Sequence, residues 1–240
     1  MWDNAPLLRS IANALFIFSV LAMLYGTAYY AMHLPGLFPL HGVRLNTEPQ
    51  RVDAAQVLQV VRNEVRGNFF TVDIERLRQS MEKLSWVRSV NIRREFPHQL
   101  AVQLEEHQAL ARWNNSTLVN QQGEVFVVGA DWIATKGQKL PGFVGQDGTS
   151  FEVTQQYMQF SQQLAALSLR ADQVILSPRH AWQLHLSNGM VLELGREDMQ
   201  QRLTRFVAAY PYSLVAMQGG AKHVDLRYRN GFAVAGAANS

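Results

Sequence analysis

The sequence contains no cysteine. That excludes disulfides and thiolate nucleophiles, and it suits the cytoplasm and the periplasm equally. Charge is sparse as well: 17% of the 240 residues are charged against 48% hydrophobic, and the formal net charge is +3. No run of five or more basic residues occurs, and between Gly42 and Leu110 the two signs interleave, as in Glu64-Val65-Arg66 and Asp73-Ile74-Glu75-Arg76. A nucleic-acid binder needs a concentrated basic face with stacking aromatics. No nucleic-acid partner is expected.

Signatures of catalysis are missing too. The histidines, at 33, 41, 98, 107, 180, 185 and 223, form no HExxH or HxxxH pattern, and no carboxylate cluster completes a metal shell. His180 and His185 flank one strand and should face opposite ways. There is no G-x-S-x-G elbow. "PGFVGQDG" lacks the Lys-Ser/Thr of a phosphate loop, and Glu105 and Glu106, adjacent on a strand, should point apart rather than work as an acid–base pair. Neither enzymatic activity nor a cofactor or metal is expected.

What the chain does have is a long apolar run. From Ile11 to Met32 no residue is charged; as a helix of about 1.5 Å rise it measures about 33 Å, enough for a hydrocarbon core of about 30 Å. Tyr25, Tyr29 and Tyr30 gather at one end as in an interfacial belt, and His33 and Pro35-Gly36 close the helix. A cleavable signal peptide is the competing reading, but its apolar region spans about 7 to 15 residues, and the best small-x-small site here (Gly26, Ala28) leads into two tyrosines. Arg9 precedes the run and the next basic residue is Arg44. The positive-inside rule then puts residues 1–10 in the cytoplasm, residues 11–32 across the membrane, and the rest beyond it.

Residues 40–108 read as strand, helix, helix, strand, strand. "HGVRLNT" is the first strand. Asp53 caps a helix with Val57, Leu58, Val61 and Val65 at helical spacing; Asp73 caps another with Ile74, Leu77, Met81 and Leu84. Trp86, Val90 and Ile92 alternate, a turn at Glu95-Phe96-Pro97-His98 follows, and Leu100, Val102 and Leu104 return. Arg93 and Arg94 read as a solvated strand face.

Residues 109–236 read as sheet-rich. Short strands at Thr117–Asn120 and Glu124–Val127 flank a Gln-Gln-Gly turn, "KLPGFVG" reads as a loop, and Phe151–Leu167 as an amphipathic helix. Trp182, Leu184 and Leu186 lead through Asn188-Gly189, a strong hairpin signal, into Met190, Leu192 and Leu194. A helix from Arg196 to about Ala209 ends at Pro211. In "KHVDLRYRNGFAV", Val224, Leu226 and Tyr228 alternate with polar residues almost to the chain end. A strand in last place either closes the protein's own sheet or offers an edge to another chain. Residues 237–240 read as a disordered tail.

Two stretches resemble a known family. "RGNFFTVDIERLRQSMEKLSWVRSVNIRREFPHQLAVQLEEHQALARW" is similar to the polypeptide-transport-associated (POTRA) domain in the version carried by the FtsQ/DivIB family of bacterial cell-division proteins. "LVNQQGEVF", "LPGFVG", "SPRHAWQLHLSNGMVLELGR" and "HVDLRYRNGFAV" resemble, in order, that family's β-domain. The resemblance implies an α+β protein: an N-terminal transmembrane helix, a POTRA-like β-α-α-β-β domain, then a mixed, sheet-rich β-domain with helices. It further implies a single-pass scaffold of the inner membrane and division septum that binds the coiled-coil proteins FtsB and FtsL in the periplasm, linking early to late division proteins, with other division partners expected at the POTRA-like unit and the helix. Carried over by motif, the partner-binding residues are Arg227, Tyr228, Asn230 and Gly231, with Arg179 of "SPRHAW" facing a partner carboxylate. Trp182, Val224, Leu226 and Phe232 complete the expected set. Arg229 stands where the family has an acidic residue. A POTRA-containing transport or assembly component is the alternative, and a wall hydrolase a third.

Overall fold

The computed structural model describes residues 5–34, 36–214, 221–229 and 231–236. Pro35, Asn230 and the expected tail at 237–240 therefore lie outside the described residues. The chain divides into two compact units, residues 1–106 and 107–240.

In the first unit, α1 (Ala5–His33) begins ahead of the uncharged block and has no buried residue. A helix apolar on every face has nothing to gain from water, and this one is long enough to cross a membrane. Two of its hydroxyls are satisfied within the helix: Ser19 Oγ donates to the Leu15 carbonyl at 2.9 Å and Thr27 Oγ1 to that of Met23 at 2.8 Å, which suits a lipid environment.

The chain then forms β1 (Gly42–Leu45), α2 (Ala54–Glu64), α3 (Ile74–Glu82), β2 (Val87–Glu95) and β3 (Gln99–Glu106). The order in the sheet is β1-β3-β2, with β1 parallel and β2 antiparallel to β3. Both helices start where the sequence implies. Asp53 accepts from the Ala55 amide and Asp73 from that of Arg76, each at 2.9 Å, satisfying donors that a helix start leaves orphaned. Val57, Leu77 and Met81 are buried, as are Leu100, Val102 and Leu104 of β3. Leu58, on the expected stripe of α2, is exposed instead.

The loop between the helices is held from both sides. Asn68 is fully buried; its Nδ2 donates to the carbonyls of Met32, Leu34 and Leu37 at 2.6, 3.1 and 3.3 Å, and its Oδ1 accepts from the amides of Phe70 and Thr71. Arg94 is exposed, as a solvated strand face implies, yet its guanidinium also ties down this loop. Its Nε donates to the Phe69 carbonyl and its Nη2 to that of Val72, both at 3.0 Å. Glu105 and Glu106 do serve different faces: Glu105 takes Arg88 at 2.6 Å, while Glu106 accepts the amides of Arg51 and Val52 at 2.9 Å.

The second unit is one nine-stranded sheet with two of its three α-helices packed on it. Its strands are β4 (Ala109–Trp113), β5 (Thr117–Asn120), β6 (Val125–Phe126), β7 (Gly142–Val144), β8 (Ala171–Leu176), β9 (Trp182–Leu186), β10 (Val191–Gly195), β11 (Ala221–Asp225) and β12 (Ala233–Gly236). The helices are α4 (Ala130–Thr135), α5 (Ser150–Leu164) and α6 (Met199–Ala209). Spatial order runs β12-β11-β10-β9-β8-β7-β4-β5-β6. Phe160 and Leu164 of α5 and Leu203 and Phe206 of α6 are completely buried with Val174, Leu184, Leu192 and Val224 beneath them. Phe160 meets Trp182 edge-on at 5.8 Å between centroids, a favoured aromatic geometry.

Three expectations need correction here. "KLPGFVG" is not simply a loop: it contains β7, parallel to both β4 and β8, with Phe143 fully buried. A strand of three residues is too short to show alternation. β4, hidden in "ALARW", was likewise not expected as a strand. Finally, α6 starts at Met199, and Pro211 does not end the helical path, because the chain widens into looser turns over Tyr210–Leu214. Such a turn relieves the clash a proline ring makes with the turn before it.

Candidate partner-binding site at the sheet edge

β10, α6 and β11 form a crossover: β11 returns parallel to β10, with Val191 opposite His223 and Glu193 opposite Asp225. β11 then turns back into β12, with Val224 opposite Val234 and Asp225 opposite Ala233. The alternating strand of "KHVDLRY" is therefore an inner strand, covered on both sides by the protein's own β10 and β12. Among the described residues β12 is one of the two outer strands of this sheet, β6 being the other. The expectation of an uncovered edge moves one strand onward.

This sorts the expected contact residues. Trp182, Val224 and Leu226 are at most 2% exposed and belong to the domain core, so their side chains are closed to a partner. Phe232 is half-buried against the same core. Tyr228 is different: 56% of it is exposed. Gly231 is exposed with open space around it, and Asn230 lies outside the described residues. Arg179 is exposed in the turn between β8 and β9. The register gathers these pieces at one end of the sheet, because Trp182 at the start of β9 pairs with Gly195 at the end of β10, beside the end of β11.

Arginines dominate that end. An open groove of about 1000 Å³ is lined by Glu197, Gln201, Arg202, Arg205, Arg227 and Arg229, among others. Arg227 is tied down in a forked pair with Asp225, its Nε donating to Oδ1 at 2.9 Å and its Nη2 to Oδ2 at 2.6 Å. The Arg227 hydrogen bonds hold the Asp225 carboxyl below the usual carboxylate range, and the carboxylate in turn raises the guanidinium. Gly195 sits beneath with φ +74°, and a Cβ there would lie 2.7 Å from Arg202 Nη1 and 3.0 Å from Arg227 Cγ. Only glycine fits.

Arg202 and Arg205 were not among the residues expected from the sequence. Arg202 Nη1 donates to the Leu194 carbonyl at 2.6 Å; Arg205 donates to the carbonyls of Tyr228 and Arg229. In "RLTRF" they look like any charges bordering a buried stripe, and no local pattern marks them.

β12 itself reads Ala233-Val234-Ala235-Gly236, mostly exposed. It carries none of the lysines, prolines or inward charges that blunt an edge.

Among the described residues no metal centre accompanies this edge: no group of three or more His, Asp or Glu side chains could hold a metal ion. The chain does contain one S-x-x-K string, Ser80 to Lys83, but the Ser80 hydroxyl bonds Glu64 at 3.2 Å on the helix surface. That is no activated nucleophile.

Comparison with known proteins fits this architecture segment by segment. Residues 38–107 match the family model for the POTRA domain of FtsQ type, and residues 111–227 that for the C-terminal part of cell division protein FtsQ/DivIB. Cell division protein FtsQ of Nitrosospira multiformis is 40% identical over 98% of this chain and 99% of its own length. The chain belongs to the FtsQ/DivIB family. The Burkholderia pseudomallei member is 37% identical over 99% of this chain and 95% of its own, and that of Escherichia coli 36% identical over 70% and 62%. A role in cell division follows, and no catalytic activity is named for these relatives. The match of the C-terminal model stops at Arg227, so Tyr228 and β12 lie just past it.

Proposed function

We propose that this protein is a single-pass scaffold of the inner membrane at the division septum, and that it takes up FtsB and FtsL at the β12 edge, joining early to late division proteins in septal wall synthesis. α1 provides the anchor. Arg9 on one flank and the absence of Lys or Arg before Arg44 on the other favour a cytoplasmic N-terminus and two periplasmic units.

The observation that carries the reading is the bare edge. β12 has small, uncharged residues and, among the described residues, no strand on its outer side, and it lies next to an exposed tyrosine at an arginine-rich end of the sheet. An extended partner segment adds there as one more strand, with main-chain hydrogen bonds supplying affinity. Tyr228 serves as the aromatic anchor, and Arg179 meets a partner carboxylate. Gly231, exposed with open space around it, lets the chain turn into the edge.

The test compares residues 1–240 with a shortened chain ending at Phe232, each titrated in detergent micelles with the FtsB–FtsL pair by calorimetry. Ending there removes β12 and spares β11, which is core. The unshortened chain is expected to bind and the shortened one to lose at least about a hundredfold in affinity while keeping its circular dichroism. Equal affinity of the two chains would refute the edge as the docking site.

A further inference from the structure

The connection from β11 to β12 has little strand pairing of its own. The Leu226 amide still donates to the Glu193 carbonyl at 2.9 Å, and pairing resumes only at Ala233. Beside the Asp225–Arg227 fork, α6 holds the described part of this stretch. Arg205 Nη2 donates to the Tyr228 carbonyl at 3.3 Å and Nη1 to that of Arg229. Three residues earlier, Arg202 grips the Leu194 carbonyl at the end of β10. The helix carrying both is itself immobilised, since Leu203 and Phe206, on either side of Arg205, are fully buried.

We propose that Arg205 is a positioning residue for partner docking. By holding two successive carbonyls against α6, it sets the direction in which the Tyr228 ring leaves the domain and the path by which the chain enters β12. This rests on the reading that Tyr228 and β12 receive the partner. A guanidinium suits the task because its planar fork presents several donors at fixed angles, whereas a lysine offers one mobile point charge. Without the brace, the docking-competent arrangement becomes one of several, and apparent affinity falls by the fraction of time it is lost.

The experiment uses the full-length chain in detergent micelles and the FtsB–FtsL pair, with Arg205→Ala, Arg205→Lys, Tyr228→Ala and the Arg205→Ala/Tyr228→Ala double variant. Arg205→Ala is expected to weaken binding about tenfold, Arg205→Lys to recover part of that, and the Arg205→Ala loss to shrink in the Tyr228→Ala background, where the group being positioned is gone. Amide exchange should quicken between residues 228 and 236 and stay unchanged in α5. Three results overturn the inference and leave the docking reading standing: unchanged binding by Arg205→Ala beside a weakened Tyr228→Ala, full additivity of the two losses, or exchange quickened across the whole sheet. If neither Tyr228→Ala nor the chain ending at Phe232 weakens binding, the docking reading itself falls, and the inference with it.

Discussion

Among the outer strands of the two sheets, β1 and β2 in the first unit and β12 and β6 in the second, β2 and β12 differ sharply. In the first, β2 is long and heavily charged: Arg88, Arg93, Arg94 and Glu95 stand along it, Arg88 is paired with Glu105, and Arg94 reaches back to the Asn68 loop. In the second, β12 is short, uncharged and poor in side chains, and it lies beside Tyr228. Charges along an edge must be stripped of water before another strand can pair there, so they discourage addition. Alanine and glycine present no such barrier. An unguarded edge accepts an added strand more readily than a charged one, which supports the proposed docking at β12 rather than at β2.

The contrast can be attacked at several points. The largest effect should come from a residue that sequence alone assigned to the partner. Trp182→Ala deletes a buried indole under α5 and is expected to cost about 3 to 5 kcal/mol of stability, read as a fall in the urea midpoint. A variant with unchanged midpoint but weakened partner binding would return Trp182 to the interface.

Next comes Tyr228→Ala, expected to leave the urea midpoint in place and weaken FtsB–FtsL binding by about 2 kcal/mol, roughly thirtyfold. Arg93→Ala on β2 serves as its counterpart and should leave that binding unchanged. Equal losses from the two substitutions would erase the distinction between the edges.

The smallest effect concerns the Asp225–Arg227 fork. Because the folded Asp225 carboxyl lies below its ordinary value, its contribution to stability is present above about pH 4, the unfolded value, and is lost as pH falls through the depressed folded value. The wild-type chain should therefore exceed Asp225→Asn in stability at neutral pH, and the two should converge below about pH 4. Arg227 is largely exposed, so added salt should narrow the gap. A gap independent of pH would show that the fork contributes nothing through charge.

Much of this was legible in the residues. Asp53 and Asp73 announced two helices, the uncharged block announced α1, and Asn188-Gly189 announced the β9–β10 hairpin, where Gly189 indeed has φ +83°. These are local signals, each carried by a few neighbouring residues. β4 and β7 gave none, being short strands whose neighbours come from elsewhere in the chain. Nor could Arg94 or Arg205 be told from surface charges, because their acceptors are carbonyls distant in sequence. For the candidate site, alternation marked Val224 and Leu226 as strand residues but not which strand would cover them.

The sequence by itself determined the long apolar helix, the β-α-α-β-β order of the first unit and the strand character of "HVDLRY", since hydrophobic period and capping chemistry act over a few residues. Only the tertiary structure decided that β11 lies inside the sheet and β12 at its rim. The reason is the α6 crossover. It returns the chain parallel to β10, buries Val224 and Leu226, and leaves the next strand with one side unpaired.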